Sequence, residues 1–343
     1  MSNPDITLVP IDPADGDLVR SWIDQQTAAV RRDLAGFPEP NPAASRLRLL
    51  SAPASMKIER WAAVADGDVA GHITLHMFEK DNRHMAECDL EVRPDRRRDG
   101  VGTRLLQFLE ERVKRNGRDT VIAYAVDEIF GRPGAETPGK HFAAKHGYAV
   151  GDTEICRRND LTGVDEGELT ERYAAAWKWA EGYELVEWTD RVPDDVAEGV
   201  ARMEARMWTD PPIGELDIRP AVYDVDRIRD DERVRREHGA LEIAAAVRHA
   251  ASGQVAGYTS IRVDPGDEDS VWQGDTIVDP GHRGRRLGTV LKIANQRRLR
   301  RHRPMVRYVI TWNAEVNSHM IDINEAIGYR PFFRELAVQK KLA

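Results

Sequence analysis

Val92-Arg93-Pro94-Asp95-Arg96-Arg97-Arg98-Asp99-Gly100-Val101-Gly102-Thr103 and Val278-Asp279-Pro280-Gly281-His282-Arg283-Gly284-Arg285-Arg286-Leu287-Gly288-Thr289 are the stretches that decide the fold. Each leads from a β-rich run, through a turn rich in glycine and arginine, into a segment with helical apolar spacing (Leu105, Leu106, Leu109 and Val113 in the first). The first backbone N–H groups of a helix have no partner within it, and the helix dipole adds positive potential there. A turn of this composition therefore offers main-chain donors to an anion, and its glycines let the backbone come close.

The two stretches belong to a longer repeat. Val69-Ala70-Gly71 recurs as Val255-Ala256-Gly257, 186 residues on. The same offset relates Asp89 to Asp275, Val92 to Val278, Arg97 to Arg283, Gly102-Thr103 to Gly288-Thr289, and Leu105 to Leu291. His146-Gly147-Tyr148 and Ile327-Gly328-Tyr329 match at a slightly shorter offset, as a change in loop length would produce. The flanking patterns repeat too. A strand at 6–11, a helix near 15–35, a hairpin around Asp66-Gly67, and a strand into the first turn are followed by a helix, a strand, a short helix and a last strand at DTEICRR. From Tyr183 the order begins again and closes with ELAVQKKL at the C-terminal end. We read residues 1–162 and 183–343 as two domains of like order, with 163–182 as a linking helix.

Composition narrows the function classes. Apolar residues make up 41% and charged residues 31% of the 343, enough for two cores under a solvated surface. A net charge of −8 disfavours nucleic acid, whose binding depends on neutralising phosphates. No apolar run is long enough for a membrane span, and the N-terminus lacks the pattern of a secretion signal. The two cysteines, Cys88 and Cys156, lie in strand-like runs and form neither a disulfide framework nor a metal site, which suits a cytoplasmic protein.

The two turns resemble the Gln/Arg-x-x-Gly-x-Gly/Ala loop of the GCN5-related N-acetyltransferases (GNAT). The first matches with Arg97, Gly100 and Gly102; the second matches at Arg283 and Gly288 but has Arg286 where glycine is usual. The resemblance covers nearly the whole chain, and in layout it is similar to mycothiol synthase, a tandem enzyme whose C-terminal half is the active one. It implies an α/β (α+β) architecture of two tandem GNAT domains, each a mixed, mostly antiparallel, splayed sheet flanked by helices. It also implies acetyl-coenzyme A as cosubstrate, coenzyme A as product, and direct acetyl transfer to a primary amine of a small molecule. A non-catalytic acetyl-coenzyme A sensor and a protein-lysine acetyltransferase are the alternatives, and a monomer or homodimer is expected.

On this resemblance, Val92, Arg97, Arg98, Gly100, Val101, Gly102 and Thr103 would hold the cofactor in the first half. In the second half the set is Val278, Arg283, Gly284, Arg285, Arg286, Leu287, Gly288, Thr289 and Asn317. Strand carboxylates are the candidate bases: Glu87 and Asp89 in the first half, Asp275 in the second. The family's usual tyrosine acid falls at Ala143 and Asn324, so neither half has it; Asn324 remains a candidate because it shares a helical face with Asn317. These asparagines tilt the expectation towards the second half as the catalytic one. The run Arg297, Arg298, Arg300, Arg301 and Arg303 reads as a helix end or a contact to the cofactor's 3′-phosphate. Asp264, Asp267, Glu268 and Asp269 read as an acidic hairpin loop.

Overall fold

The structure, a computed structural model, describes residues 6–266 and 269–343, so Asp267 and Glu268 of the acidic loop lie outside the described residues. By contacts the chain forms two compact units, and the division departs from chain order. Unit 1 comprises Met1–Glu154, Ile213–Arg219 and Phe333–Ala343; unit 2 comprises Ile155–Pro212 and Pro220–Phe332.

Unit 1 contains β1 (Thr7–Pro10), α1 (Gly16–Asp33), α2 (Pro42–Leu47), β2 (Met56–Ala65), β3 (Asp68–Phe78), β4 (Met85–Val92), α3 (Val101–Arg115), β5 (Thr120–Ile129) and α4 (Pro138–Lys145). Strand β6 (Ala149–Asp160) leaves this unit after Glu154. Unit 2 then contains α5 (Glu166–Trp177), β7 (Tyr183–Thr189), α6 (Asp194–Met207), α7 (Val225–Glu237), β8 (Leu241–His249), β9 (Val255–Val263), β10 (Ser270–Val278), α8 (Leu287–His302), β11 (Tyr308–Ala314), α9 (Ser318–Ala326) and the start of β12 (Tyr329–Lys341). Helix α5, expected as a linker, packs into unit 2, where Ala176 joins a core with Ala245, Val247 and Leu291.

Strand order in unit 1 is β1-β2-β3-β4-β5-β12, and in unit 2 it is β7-β8-β9-β10-β11-β6. The pairs β1–β2, β2–β3, β3–β4 and β5–β12 in unit 1 and β7–β8, β8–β9 and β9–β10 in unit 2 are antiparallel, whereas β4 with β5 and β10 with β11 are parallel. The strand beside β5 is thus Phe333–Lys341, the far C-terminal segment, and the strand beside β11 belongs to the first half of the chain. Sequence order had suggested that each half keeps its own last strand. Hydrophobic alternation shows that a strand has a buried face but not which edge it joins, and the exchange uses that freedom.

The repeated Val-Ala-Gly has a packing cause. A Cβ on Gly71 would meet the Glu91 carbonyl at 2.7 Å and Leu105 at 3.0 Å; on Gly257 it would meet the Ile277 carbonyl at 2.9 Å and Leu291 at 3.1 Å. The main helix and the strand entering the turn can pass this closely only over glycine. Gly71→Ala and Gly257→Ala are each expected to cost about 1–3 kcal/mol as overpacking. Urea unfolding of each variant reads this out, and an unchanged midpoint would contradict the packing.

Candidate functional site

In unit 1 the two parallel strands separate. β4 and β5 pair from Met85↔Thr120 to Cys88↔Ala123 and no further, although β4 runs on to Val92 and β5 to Ile129. Beyond Cys88 the main-chain edges of both strands are released towards an open cleft of about 1350 Å³. Leu90 to Val92 form one wall, Tyr124 to Val126 the other, and Gly100, Gly102 and Thr103 line its end. The volume exceeds the ~300–1,000 Å³ of ordinary small-molecule pockets.

The turn shapes that end. Arg98 has φ 74° and Gly100 φ 85°, and α3 then starts at Val101 with no side chain capping its first amides. In unit 2, Gly284 has φ 79° and Arg286 φ 54°, and α8 likewise starts uncapped at Leu287. The two turns therefore share one backbone path, with glycine and arginine exchanged between its two left-handed positions. That explains how Arg286 replaces the usual glycine. An L-residue can adopt this conformation at a cost of about 1–2 kcal/mol.

Both motif arginines fold back onto the protein. Arg97 donates through Nε to the Val92 carbonyl (3.2 Å) and pairs with Asp33 of α1. Arg283 donates through Nε to the Val278 carbonyl (3.2 Å) and reaches Asp210 at 3.4 Å. Each guanidinium ties the end of its strand to the turn; Arg97 is half-buried, whereas Arg283, like Arg98, Arg285 and Arg286, is exposed.

The carboxylates of β4 lie on one face by strand alternation: Glu87 opposite His76, Asp89 opposite Thr74, and Glu91 opposite His72. Glu87 sits where the sheet is still paired, with Ile122 as its neighbour, and burial pushes its carboxyl upward. Asp89, just past the last pair, is 63% exposed and 3.5 Å from His76 Nε2. Glu91 is the residue the sequence reading missed. It lines the cleft and accepts from Gln25 Nε2 at 2.7 Å, while Gln25 Oε1 accepts from His72 Nδ1 at 2.6 Å. Burial lifts the Glu91 carboxyl to about 7, and burial holds the His72 imidazole down at about 4, so His72 is neutral. The spacing of Glu87, Asp89 and Glu91 was a visible signal for a shared face; the partner Gln25, 66 residues away, was not.

Unit 2 engages its candidates differently. β10 and β11 pair only from Ser270↔Tyr308 to Trp272↔Ile310, so this sheet also parts. Asp275 lies in a bulge of β10 beside Glu204 of α6; burial raises both carboxyls, and the neighbouring Asp275 raises Glu204 further. Asn317 caps α9, accepting from the Met320 amide at 3.2 Å. Asn324 is fully buried, accepting from Lys292 Nζ at 2.7 Å and donating to Asn313 Oδ1 at 3.3 Å. Of the arginine run, Arg297 bonds Thr170, Arg298 bonds Thr189 and Arg300 pairs with Glu166, all within unit 2. No helix among the described residues is long and apolar enough to cross a membrane.

Comparison with known proteins agrees with this geometry. Residues 26–148 match the acetyltransferase (GNAT) family model. The whole chain is similar to a solved tandem GNAT protein from the clavulanic acid biosynthesis pathway: 29% identity, 98% of each chain covered and a TM-score of 0.81. A GCN5-related N-acetyltransferase from Sphaerobacter thermophilus shares the fold at 16% identity, 99% and 97% coverage and a TM-score of 0.67. A glucosamine N-acetyltransferase region of a fungal multi-domain β-N-acetylglucosaminidase aligns at 14% identity and a TM-score of 0.65, over 98% of this chain and 38% of that one. Comparison with curated proteins gives no match.

Proposed function

The chain carries a tandem GNAT fold in which residues 26–148 are a GNAT acetyltransferase domain, and from this premise we propose that unit 1 binds acetyl-coenzyme A and passes its acetyl group directly to a primary amine of a small molecule. The observation that carries the proposal is the coincidence of three features in one cleft: parted strand edges, a left-handed turn and an uncapped helix start. The amides of Val101, Gly102 and Thr103 suit a pyrophosphate, and exposed Arg98 adds positive charge beside it. The released edges of β4 and β5 suit the amide groups of a pantetheine arm. Arg97 acts by holding Val92, and hence the strand edge, in place.

This assignment reverses the tilt given by the sequence. The asparagines that favoured the second half serve there as a helix cap and as a member of a buried network. A second reading, a module that binds acetyl-coenzyme A without transfer, is favoured by Ala143 at the position of the usual tyrosine acid. A thiol's ordinary pKa of about 8.5 lets the thiolate leave with modest help, so the missing tyrosine does not decide the matter.

Calorimetric titration with acetyl-coenzyme A tests the site. A Cβ at Gly102 meets Phe142 and Val92 only at ordinary contact distance (3.4 Å), so Gly102→Ala is expected to fold and to bind. Gly102→Glu puts a carboxylate against the diphosphate and is expected to weaken binding by at least about 100-fold. Gly288→Glu is expected to leave the unit 1 isotherm in place. Wild-type affinity and stoichiometry in Gly102→Glu would remove the proposal.

A further inference from the structure

We infer that Glu91 is the base that takes the acceptor's proton in unit 1, and that Gln25 and His72 are positioning residues that hold it for the task. The inference rests on the acetyl-transfer reading above. Three observations carry it.

The first is place. Glu87 lies where β4 is still paired with β5, whereas Glu91 lies beyond the last pair and lines the cleft between Leu90 and Val92. The second is a directed chain of hydrogen bonds. Gln25 donates through Nε2 to Glu91 Oε1, so its Oε1 is the acceptor for His72 and the imidazole carries its proton on Nδ1. His72 is 5% exposed and Gln25 1% exposed, so the chain is fixed by packing. Only one carboxyl oxygen is used by Gln25; the other can accept a proton. The third is the duplicated half, which acts as an internal control. At the offset of 186 residues, Glu91 corresponds to Ile277 and His72 to Tyr258, both buried in unit 2. The fold can therefore be built without this polar chain, and its presence in unit 1 calls for another cause.

The chemistry balances. An alkylammonium acceptor gives one proton to Glu91, and its nitrogen lone pair attacks the thioester carbonyl carbon. The C–N bond forms and the C–S bond breaks. The nitrogen's second proton passes to the departing thiolate, giving free thiol, and Glu91 returns its proton to solvent. A base is most effective with a pKa near the working pH. The groups facing Glu91 are Gln25 and Asp33 on α1, His72 on β3, Asp89 on β4 and Arg97 in the turn. Among them, burial and Asp33 push its carboxyl up, while Gln25 and Arg97 pull it down.

The test measures thiol release from acetyl-coenzyme A with glucosamine, spermidine and lysine as amine probes. It uses the wild type, Glu91→Gln and Gln25→Leu. Wild-type kcat/KM is expected to fall below about pH 7, the value to which Glu91 is lifted. Glu91→Gln is expected to lose about 100-fold in kcat and to lose that acid limb, with acetyl-coenzyme A affinity within about twofold. Gln25→Leu removes a hydrogen bond that stabilises the carboxylate, so the limb is expected to move to higher pH, a change that a merely structural role would not produce. If Glu91→Gln no longer binds acetyl-coenzyme A, the limb shift in Gln25→Leu decides. A wild type that turns over while Glu91→Gln keeps its rate and acid limb overturns this inference alone. A wild type that binds acetyl-coenzyme A yet releases thiol with none of the probes overturns the transfer reading and this inference with it.

Discussion

Deleting residues 333–343 is expected to abolish acetyl-coenzyme A binding by a site whose other residues all lie before residue 146. Phe333–Lys341 pairs with β5 from Phe333↔Ile129 to Lys341↔Thr120, and β5 is a wall of the cleft. The segment also buries Phe333, Ala337, Val338 and Leu342; Val338 and Leu342 join the core containing Leu105, Leu109 and Cys88. At about 1.5–3 kcal/mol for each large apolar side chain, the loss approaches the whole stability of a domain, about 5–15 kcal/mol. The deletion would also leave the β5 edge unpaired and prone to association. Hydrogen exchange should show lost protection across β4 and β5, and calorimetry should show no heat of binding. A deletion variant that binds with wild-type affinity would mean that β5 does not need this strand.

That dependence could not be read from the sequence, although much else could. The repeat at an offset of 186 residues located both turns, and Gly71 and Gly257 recur because the same close passage recurs in each half. Such features are local: a turn, a helix start and a strand alternation are set by residues near one another. The exchange of β6 and β12 depends instead on which edge each strand finds. Glu91 shows the same limit. Its place on the face of Glu87 and Asp89 follows from period-two spacing, but its role depends on Gln25 of α1 and His72 of β3, which only the fold brings together. Asn324 shows the converse. Its helical spacing from Asn317 suggested a shared pocket, yet the structure closes over Asn324 and gives it Lys292 as a partner. Spacing marks a face of a helix; the neighbours decide whether that face meets ligand or core.

Lys292 gives the second large effect. It is 2% exposed on α8, donates to Asn324 Oδ1 at 2.7 Å and stands 5.0 Å from the ring of Tyr329. A second buried cation, Arg157, reaches the same network through Asn313 at 3.0 Å. Burial lowers the Lys292 ammonium from 10.5 to about 7. The sign of the pH effect follows. Below about pH 7 the lysine is charged in both folded and unfolded chains, and folding bears the full cost of burying the charge. Between about pH 7 and 10.5 the folded protein sheds the proton while the unfolded chain keeps it, so stability rises with pH across that window. Unit 1 shows what the fold accepts instead, since the counterparts of Lys292 and Asn324 are Leu106 and Ala143, both buried apolar residues. The double variant Lys292→Leu/Asn324→Ala is therefore expected to stabilise unit 2 by about 1–4 kcal/mol at pH 6.5, the usual gain when a buried charge is replaced by well-packed apolar groups. Asn324→Ala alone leaves the ammonium without its acceptor and is expected to destabilise by about 1–3 kcal/mol. Urea unfolding at pH 6.5 and pH 9 separates these outcomes, because the advantage of the double variant should shrink at the higher pH. An advantage equal at both values would mean that Lys292 keeps its proton in the folded protein, held by Asn324 and the Tyr329 ring.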